Sequence, residues 1–389
     1  MRKICVITGY RSDYTKLKSV LRSIKSHSDL QLQVVAFGAH LLGDFGNSVN
    51  DIVDDGFEIS YKCNTTIAGD SPLVMSKSVG FAIVELTAAL EQLTPDVVLI
   101  VGDRYEILAA AVAASIGNIP VAHIQGGEIS GTIDETIRHA ITKLSHIHFP
   151  STELSKQRIL KMGECPSYVF NVGCPAVDYI SDLDNCCTKS QLSTLKGLGR
   201  TKLNKGERYF LLIQHPVTTE FEEAGDQMAL TLEALQSVGI PTLLIYPNPD
   251  AGSAAMVRSI RRHSQKYKKQ NIIKGSFKNL PFKTYLNLLR YSEGLVGNSS
   301  SGIREACMYN VPAINIGSRQ NGRERTANIV DVPHDLEQIK GQLSMSLQKR
   351  DKGYISNDCI YGDGTAGRKI ADILSTISLD SIEQKSLQI

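Results

Sequence analysis

The sequence predicts an α/β protein made of two doubly wound, Rossmann-like domains that face each other across a cleft. Three observations predict it. The chain has 389 residues and 42% hydrophobic content, more than one core ordinarily supports. Short β-branched, apolar runs alternate with helical patterns from the first residues onward, and continuous rather than alternating apolar strands mark parallel sheets covered on both faces. A polar stretch over 182–206, rich in Ser, Thr, Lys and Asn, interrupts the alternation before it restarts, as a linker would.

In chain order, KICVITG reads as a strand and KLKSVLRSIKSH as its helix. LQLQVVAFG, DVVLIVGD, PVAHIQGG and YVFNVG follow as strands, with EILAAAVAASIG and DETIRHAITKLS as helices among them. After the linker come RYFLLIQHP, PTLLIYPN, NIIKGSF, GLVGNSS and VPAINIGS, interleaved with helical QMALTLEALQSVG, AAMVRSIRRHSQKY, FKTYLNLLRYS and IREACMYN. We therefore place a first domain at 1–178 and a second at 179–389. The amphipathic AGRKIADILSTI near the end is expected to pack back across the junction.

Composition narrows the function. Lys+Arg at 42 against Asp+Glu at 40 gives no basic face for a nucleic acid. Eight Cys lack paired metal spacing, and adjacent Cys186-Cys187 suit neither a mutual bridge nor a zinc clamp. MRKICVITG does not read as a signal peptide, and no later apolar stretch approaches a membrane span; the expectation is a cytoplasmic protein without a membrane segment.

In open parallel sheets, ligands sit beyond the carboxyl ends of the strands, so the informative residues follow the apolar runs. Gly9 leads into Arg11, Ser12 and Lys16, a helix start suited to a phosphate or sugar hydroxyl and equally to a solvated Arg. The G-x-G-x-x-G dinucleotide spacing is absent. His40 follows the second run and is a further substrate-side candidate. Asp103 and Arg104 end one strand and Gln125 and Glu128 the next, gathering groups whose protonation states can differ; Asp103 reads equally as an N-cap. Asp134, Arg138 and Thr142 share one helical face, where the first two could also form an ordinary surface ion pair. In the second half, His215 precedes Pro216, which suggests a held, exposed loop position; its ring could trade protons or, as a cation, hold a phosphate. Ser299, Ser300 and Ser301 open a helix as a diphosphate cradle would, and Glu305 is placed to accept from ribose hydroxyls. Arg319 and Arg323 add cations at the same edge. Arg258, Arg261 and Arg262 read as a solvated helix face.

Through RSDY, GDRYE, GGEISGTIDETIRHAITKL, QHPVTT, YPNPDAGS, GNSSSGIREA, GSRQNGRE and IYGDG, the chain resembles the hydrolysing UDP-N-acetylglucosamine 2-epimerases of sialic-acid synthesis, including the epimerase half of the bifunctional animal enzyme. The resemblance implies a GT-B-like fold, a UDP-sugar held mainly by the second domain, no metal or other cofactor, and a homodimer or homotetramer. It implies elimination of UDP across C1 and C2 to 2-acetamidoglucal, then addition of water to release N-acetylmannosamine. By motif, Asp103 and Asp134 become acid or base positions, His215 the group beside the diphosphate, and Arg11 and Arg104 sugar-phosphate contacts. Asn248, Ser299, Ser300, Glu305 and Arg319 become nucleotide contacts. Gln125 stands where these epimerases commonly carry Glu, and an amide cannot transfer a proton. Either Glu128 or Asp134 supplies the proton chemistry, or the substrate is a related sugar: UDP-N,N'-diacetylbacillosamine, or a GDP-linked amino sugar of legionaminic-acid synthesis. Ala254 and Asn279 replace a Lys and a His of the animal enzyme's effector site, so inhibition by CMP-sialic acid is expected to be weak or absent. A glycosyltransferase of the same fold and an inactive nucleotide-sugar-binding protein are the rival readings; the gathered carboxylates favour elimination over transfer, and Gln125 motivates the inactive reading.

Overall fold

The structure is a computed structural model that describes the chain apart from residues 44–45, 70, 182–188, 190–191, 193–196, 200, 202, 205, 352–358, 381, 383–384 and 387–389. Cys186-Cys187 and much of the expected linker lie outside the described residues.

The first domain runs β1 (Arg2–Thr8), α1 (Arg11–Ser26), β2 (Leu30–Phe37), α2 (Val49–Asp54), β3 (Tyr61–Cys63), α3 (Pro72–Leu93) and β4 (Val97–Val101). It continues with α4 (Tyr105–Ile116), β5 (Val121–Ile124), α5 (Ile133–Leu144), β6 (Ile147–Phe149), α6 (Glu153–Lys161) and α7 (Pro175–Ser181). The second comprises β7 (Phe210–Ile213), α8 (Ala224–Val238), β8 (Thr242–Ile245), α9 (Ser253–Lys266), β9 (Ile273–Phe277), α10 (Phe282–Tyr291) and β10 (Gly294–Gly297). After it come α11 (Glu305–Met308), β11 (Ala313–Ile316), β12 (Ile329–Val332), α12 (Leu336–Asp351) and α13 (Ala366–Thr376).

The sheets run β3-β2-β1-β4-β5-β6 and β12-β11-β10-β7-β8-β9, and every pairing is parallel. Numbered within its own half, each sheet has the order 3-2-1-4-5-6, with strand direction of travel reversing between β1 and β4 and between β7 and β10. The expected pair of doubly wound domains is present, and the architecture is GT-B-like.

The strands are buried on both faces. Val6, Val34 and Leu99 point into a cluster with Leu17, Leu21 and Ile24 of α1, whose spacing makes one apolar stripe. Ile7, Val98 and Ile100 face Leu86 of α3 and Ala110 of α4 on the other side. Ile370, Ala371 and Leu374 of the last helix, α13, pack in one cluster with the residues of β1 and α1. Asp178 of α7 accepts from the N–H groups of Ala366 and Gly367 at 3.0 and 2.6 Å, satisfying donors at the start of α13.

Two readings need correction. YVFNVG contributes one bridge, His148 to Val169, and the edge strand is β6; with only three residues, β6 gives little apolar pattern to read. The chain also does contain a helix long and apolar enough to cross a membrane: α3, 22 residues with mean hydropathy 1.6. It lies along the first sheet through buried Ala82, Leu86, Ala89 and Leu90. Lys77 and Glu85, with the Ser and Gly between them, interrupt its apolar run.

Candidate active site

A cleft of about 410 Å³ opens where the carboxyl ends of the two sheets meet. Its lining includes Arg11, Ser12, Lys16, Asp103, Arg104, Asp134, His215, Asn248, Ser299, Ser300, Glu305, Arg319 and Arg323. Residues singled out after separate apolar runs thus converge on one place.

Asp103 ends β4 but does not cap α4, whose N-cap is Arg104 without a side-chain bond. Its carboxylate pairs with Arg138 and, at 3.5 Å, with Arg323. Burial works to raise Asp103, but the charges of Arg138, Arg323 and Lys16 outweigh it and hold the group well below the usual carboxylate range. Asp134 sits in the first turn of α5, which Thr132 caps by accepting from its N–H at 3.2 Å. Burial and then the neighbouring Asp103 charge push Asp134 up, against the pull of Arg319 at 3.6 Å. Two carboxyl groups in one cleft are driven apart, one ionised and one inclined to hold its proton, the arrangement acid–base chemistry requires. The ammonium of Lys16 lies beside Gly102; burial and Arg304 lower its pKa.

His215 is buried rather than exposed. Its backbone is gripped by the Asn298 side chain, which accepts from its N–H at 2.7 Å and donates to its carbonyl at 2.8 Å. Nδ1 accepts from the N–H of Asn248 at 3.1 Å, so the ring proton resides on Nε2. Burial, then Arg319, Arg11 and Arg104, hold its pKa far below neutrality. The ring therefore acts at neutral pH as a hydrogen-bond donor and not as a cation.

The cradle opens at β10, where Ser299 Oγ accepts from Ser301 N–H at 3.3 Å. Among the described residues, Glu305 Oε2 and Arg323 Nε are buried without a hydrogen-bond partner, and such orphans beside a cleft call for a ligand or water. Arg11 reaches over the cleft to the carbonyls of Lys278 and, at 3.1 Å, Tyr246. Arg104 is forked onto Glu106 at 3.0 and 2.8 Å and bound to Asp250 of the second domain at 2.9 Å.

Four candidates do not line the cleft. Glu128 lies behind it, tied to Arg304 at 2.5 Å and Arg323 at 3.5 Å; despite burial, these arginines and Arg138 bring it down to about 2. Arg138 is buried between Asp103, the Glu128 carbonyl (2.8 Å) and Ser130 Oγ (3.1 Å), so its partner is Asp103 rather than Asp134. Gln125 adopts φ +67° and donates to Cys174 Sγ at 3.1 Å. His40 is buried between Thr8 Oγ1 at 2.9 Å and Ser48 Oγ at 2.8 Å, and burial lowers it to about 3.

The cleft also takes in residues not singled out from sequence, among them Asp51 and Asp55 near α2, Tyr179, Phe282 and Tyr285. The rings of Phe282 and Tyr285 stack, with centroids 6.2 Å apart and 16° between planes. Their signal was the FKTYLNLLRYS helix, whose aromatics also serve as core. Among the described residues, no group of three or more His, Cys, Asp or Glu could hold a metal ion.

Two Rossmann-like domains, a cationic cradle on one and a split carboxylate pair on the other define a nucleotide-sugar enzyme. The chain belongs to the UDP-N-acetylglucosamine 2-epimerase family, which it matches over residues 22–375. It is 38% identical over 381 residues (98% of this chain, 97% of the relative) to a Legionella pneumophila protein named UDP-N,N'-diacetylbacillosamine 2-epimerase (hydrolyzing). It is 34% identical over 342 residues (87% and 86%) to a Neisseria meningitidis UDP-N-acetylglucosamine 2-epimerase. Among solved structures, N. meningitidis UDP-GlcNAc 2-epimerase bound to UDP-GlcNAc shares the fold, with TM-score 0.77, 18% identity and coverage of 96% and 99%.

Proposed function

We propose that this enzyme is a hydrolysing 2-epimerase whose substrate is UDP-N,N'-diacetylbacillosamine, releasing UDP and the C2-epimerised free sugar. The observation that carries the reaction class is the unequal setting of two neighbouring carboxyl groups, Asp103 paired with Arg138 and Arg323 and Asp134 half-buried beside it with Arg319 at 3.6 Å. In this reading the diphosphate enters against Ser299–Ser301, the Nε2–H of His215 and Arg319, and draws Arg323 and Lys16 away from Asp103. With Arg138 as its one remaining cation, Asp103 becomes more basic and takes the C2 proton as the C1–O bond breaks. Protonated Asp134 then gives its proton to C2 as water adds at C1; the proton that the water sheds returns to Asp134, and Asp103 releases the abstracted C2 proton to solvent.

The substrate choice departs from the first expectation, UDP-N-acetylglucosamine. It is supported by the Legionella relative and by a Campylobacter jejuni relative named GDP/UDP-N,N'-diacetylbacillosamine 2-epimerase (hydrolyzing), 35% identical over 388 residues. Gln125 accords with it, being a buried amide where the sialic-acid enzymes carry an acid. UDP-N-acetylglucosamine remains the second reading because of the Neisseria relative. Both donors incubated with the enzyme in deuterated water and followed by proton NMR test this. The expected outcome is deuterium at C2 of the released sugar and kcat/KM at least about tenfold higher for the diacetamido donor, the scale on which one matched polar group discriminates. Faster turnover of UDP-N-acetylglucosamine reverses the substrate choice, and UDP release without deuterium removes the elimination. The same reading places the enzyme in the cytoplasm, where nucleotide sugars are made, as a homo-oligomer joined through the apolar outer face of α3.

A further inference from the structure

The loop from Gly317 to Arg323 is anchored to the leaving-group cradle: Arg319 Nη1 and Gln320 Nε2 both donate to the carbonyl of Asn298, at 3.2 and 2.8 Å, just before Ser299. On its other side it meets the first domain through backbone. Gly131 N–H donates to the Arg319 carbonyl at 3.2 Å, and Arg319 Nη2 stands 3.6 Å from the carboxylate of Asp134. The chains approach so closely here that a Cβ at Gly131 would overlap the Ser318 carbonyl oxygen and lie 3.0 Å from Asn321 Cβ. Gly131 is not among the residues with positive φ, so its own conformation does not require glycine. The approach of the second domain does.

We propose that Gly131 is a positioning residue: its missing side chain lets the 317–323 loop close onto the first domain, so that the loop touching the diphosphate cradle sets Arg319 against Asp134. Leaving-group binding and proton transfer are thereby linked through one seam. This inference rests on the epimerase reading of the cleft.

Gly131→Ala tests it, because the overlap arises only where the domains meet and each domain's own packing is left alone. Of the groups set against the diphosphate, Ser299–Ser301 and His215 lie away from the seam whereas Arg319 and Arg323 belong to its loop, so the Kd for UDP, measured by calorimetry, should weaken by no more than about tenfold while kcat falls about 100-fold, the cost of an ångström-scale misplacement. A kcat within about threefold of wild type overturns the proposal, as does a loss of UDP affinity equal to the loss of kcat. Ile129→Ala loosens the same seam without added bulk, since Ile129 Cγ2 lies 2.6 Å from where a Gly322 Cβ would stand. It should lower kcat about tenfold at unchanged UDP affinity; if Gly131→Ala fails to fold, an unaltered Ile129→Ala overturns the proposal. Turnover by the wild type separates this inference from the reading it rests on: wild type that turns over neither UDP-amino sugar defeats the reading, whereas an active wild type matched in kcat by Gly131→Ala defeats the seam alone.

Discussion

Among single residues, the proposed chemistry turns on the contrast between Asp103 and Asp134, whose sign can be tested. Asp134 is raised by burial and by Asp103, so it keeps its proton to a higher pH than a free aspartate. A step that uses Asp134 as acid is supported below that raised pKa and lost as pH climbs through it. The pH profile of kcat should therefore carry a descending limb at high pH, and Asp134→Asn should abolish the limb while lowering kcat by about 10²–10⁴, the usual share of one acid–base group. A limb that survives in Asp134→Asn assigns the titration elsewhere. Sequence alone brought both aspartates to notice, because each follows an apolar run. It could not tell their protonation states apart, since these depend on Arg138, Arg319 and Arg323, whose pairings are tertiary. The same limit explains Glu128 and His40: residue type and strand-end position were right for a cleft, but the side chains turn to Arg304 and to Thr8 and Ser48 instead.

At the scale of elements, strands such as Val97–Val101 and Phe210–Ile213 were legible because burial on both faces writes an unbroken apolar run. Short or half-exposed ones, β3, β6 and β12, were not. Helix α3 escaped notice for a related reason: it is apolar nearly all round and shows little amphipathic period. Its inner stripe packs on the sheet, yet Leu73, Phe81 and Val84 are 75%, 59% and 67% exposed. Large apolar side chains grouped on one outer helix face mark an association surface. A second copy of the chain is the occupant the proposed homo-oligomer needs, since a two-fold axis pairs such a face with itself. Phe81→Glu combined with Val84→Glu should shift the mass measured by light scattering to that of the monomer; an unchanged oligomer moves the interface off α3.

For the whole molecule, the two domains could be read from sequence and the seam between them could not. Periodicity reports which face of an element is buried but not which residue of a distant element meets it. Arg104 illustrates the difference. The family resemblance implies a sugar-phosphate contact for it, and in the structure it lines the cleft while its guanidinium joins Glu106 of its own domain to Asp250 of the other. All three side chains are buried, so the bond across the cleft is charge-assisted and poorly screened. Asp250 lies two residues beyond Asn248, whose N–H orients His215; this contact between the domains is thus part of the loop that sets the proposed diphosphate-side donor. Asp250→Asn removes the charge but keeps an acceptor, and Glu106 still compensates Arg104, so no buried cation is left alone. The loss should be that of one charge-assisted bond reduced to a neutral one, about 1–2 kcal/mol, or roughly a five- to thirtyfold fall in kcat/KM. Because the bond spans the domains, Glu106→Gln should cost kcat/KM less than Asp250→Asn does. Equal losses from the two variants would mean that Arg104 is held as a local pair and that closure does not pass through it.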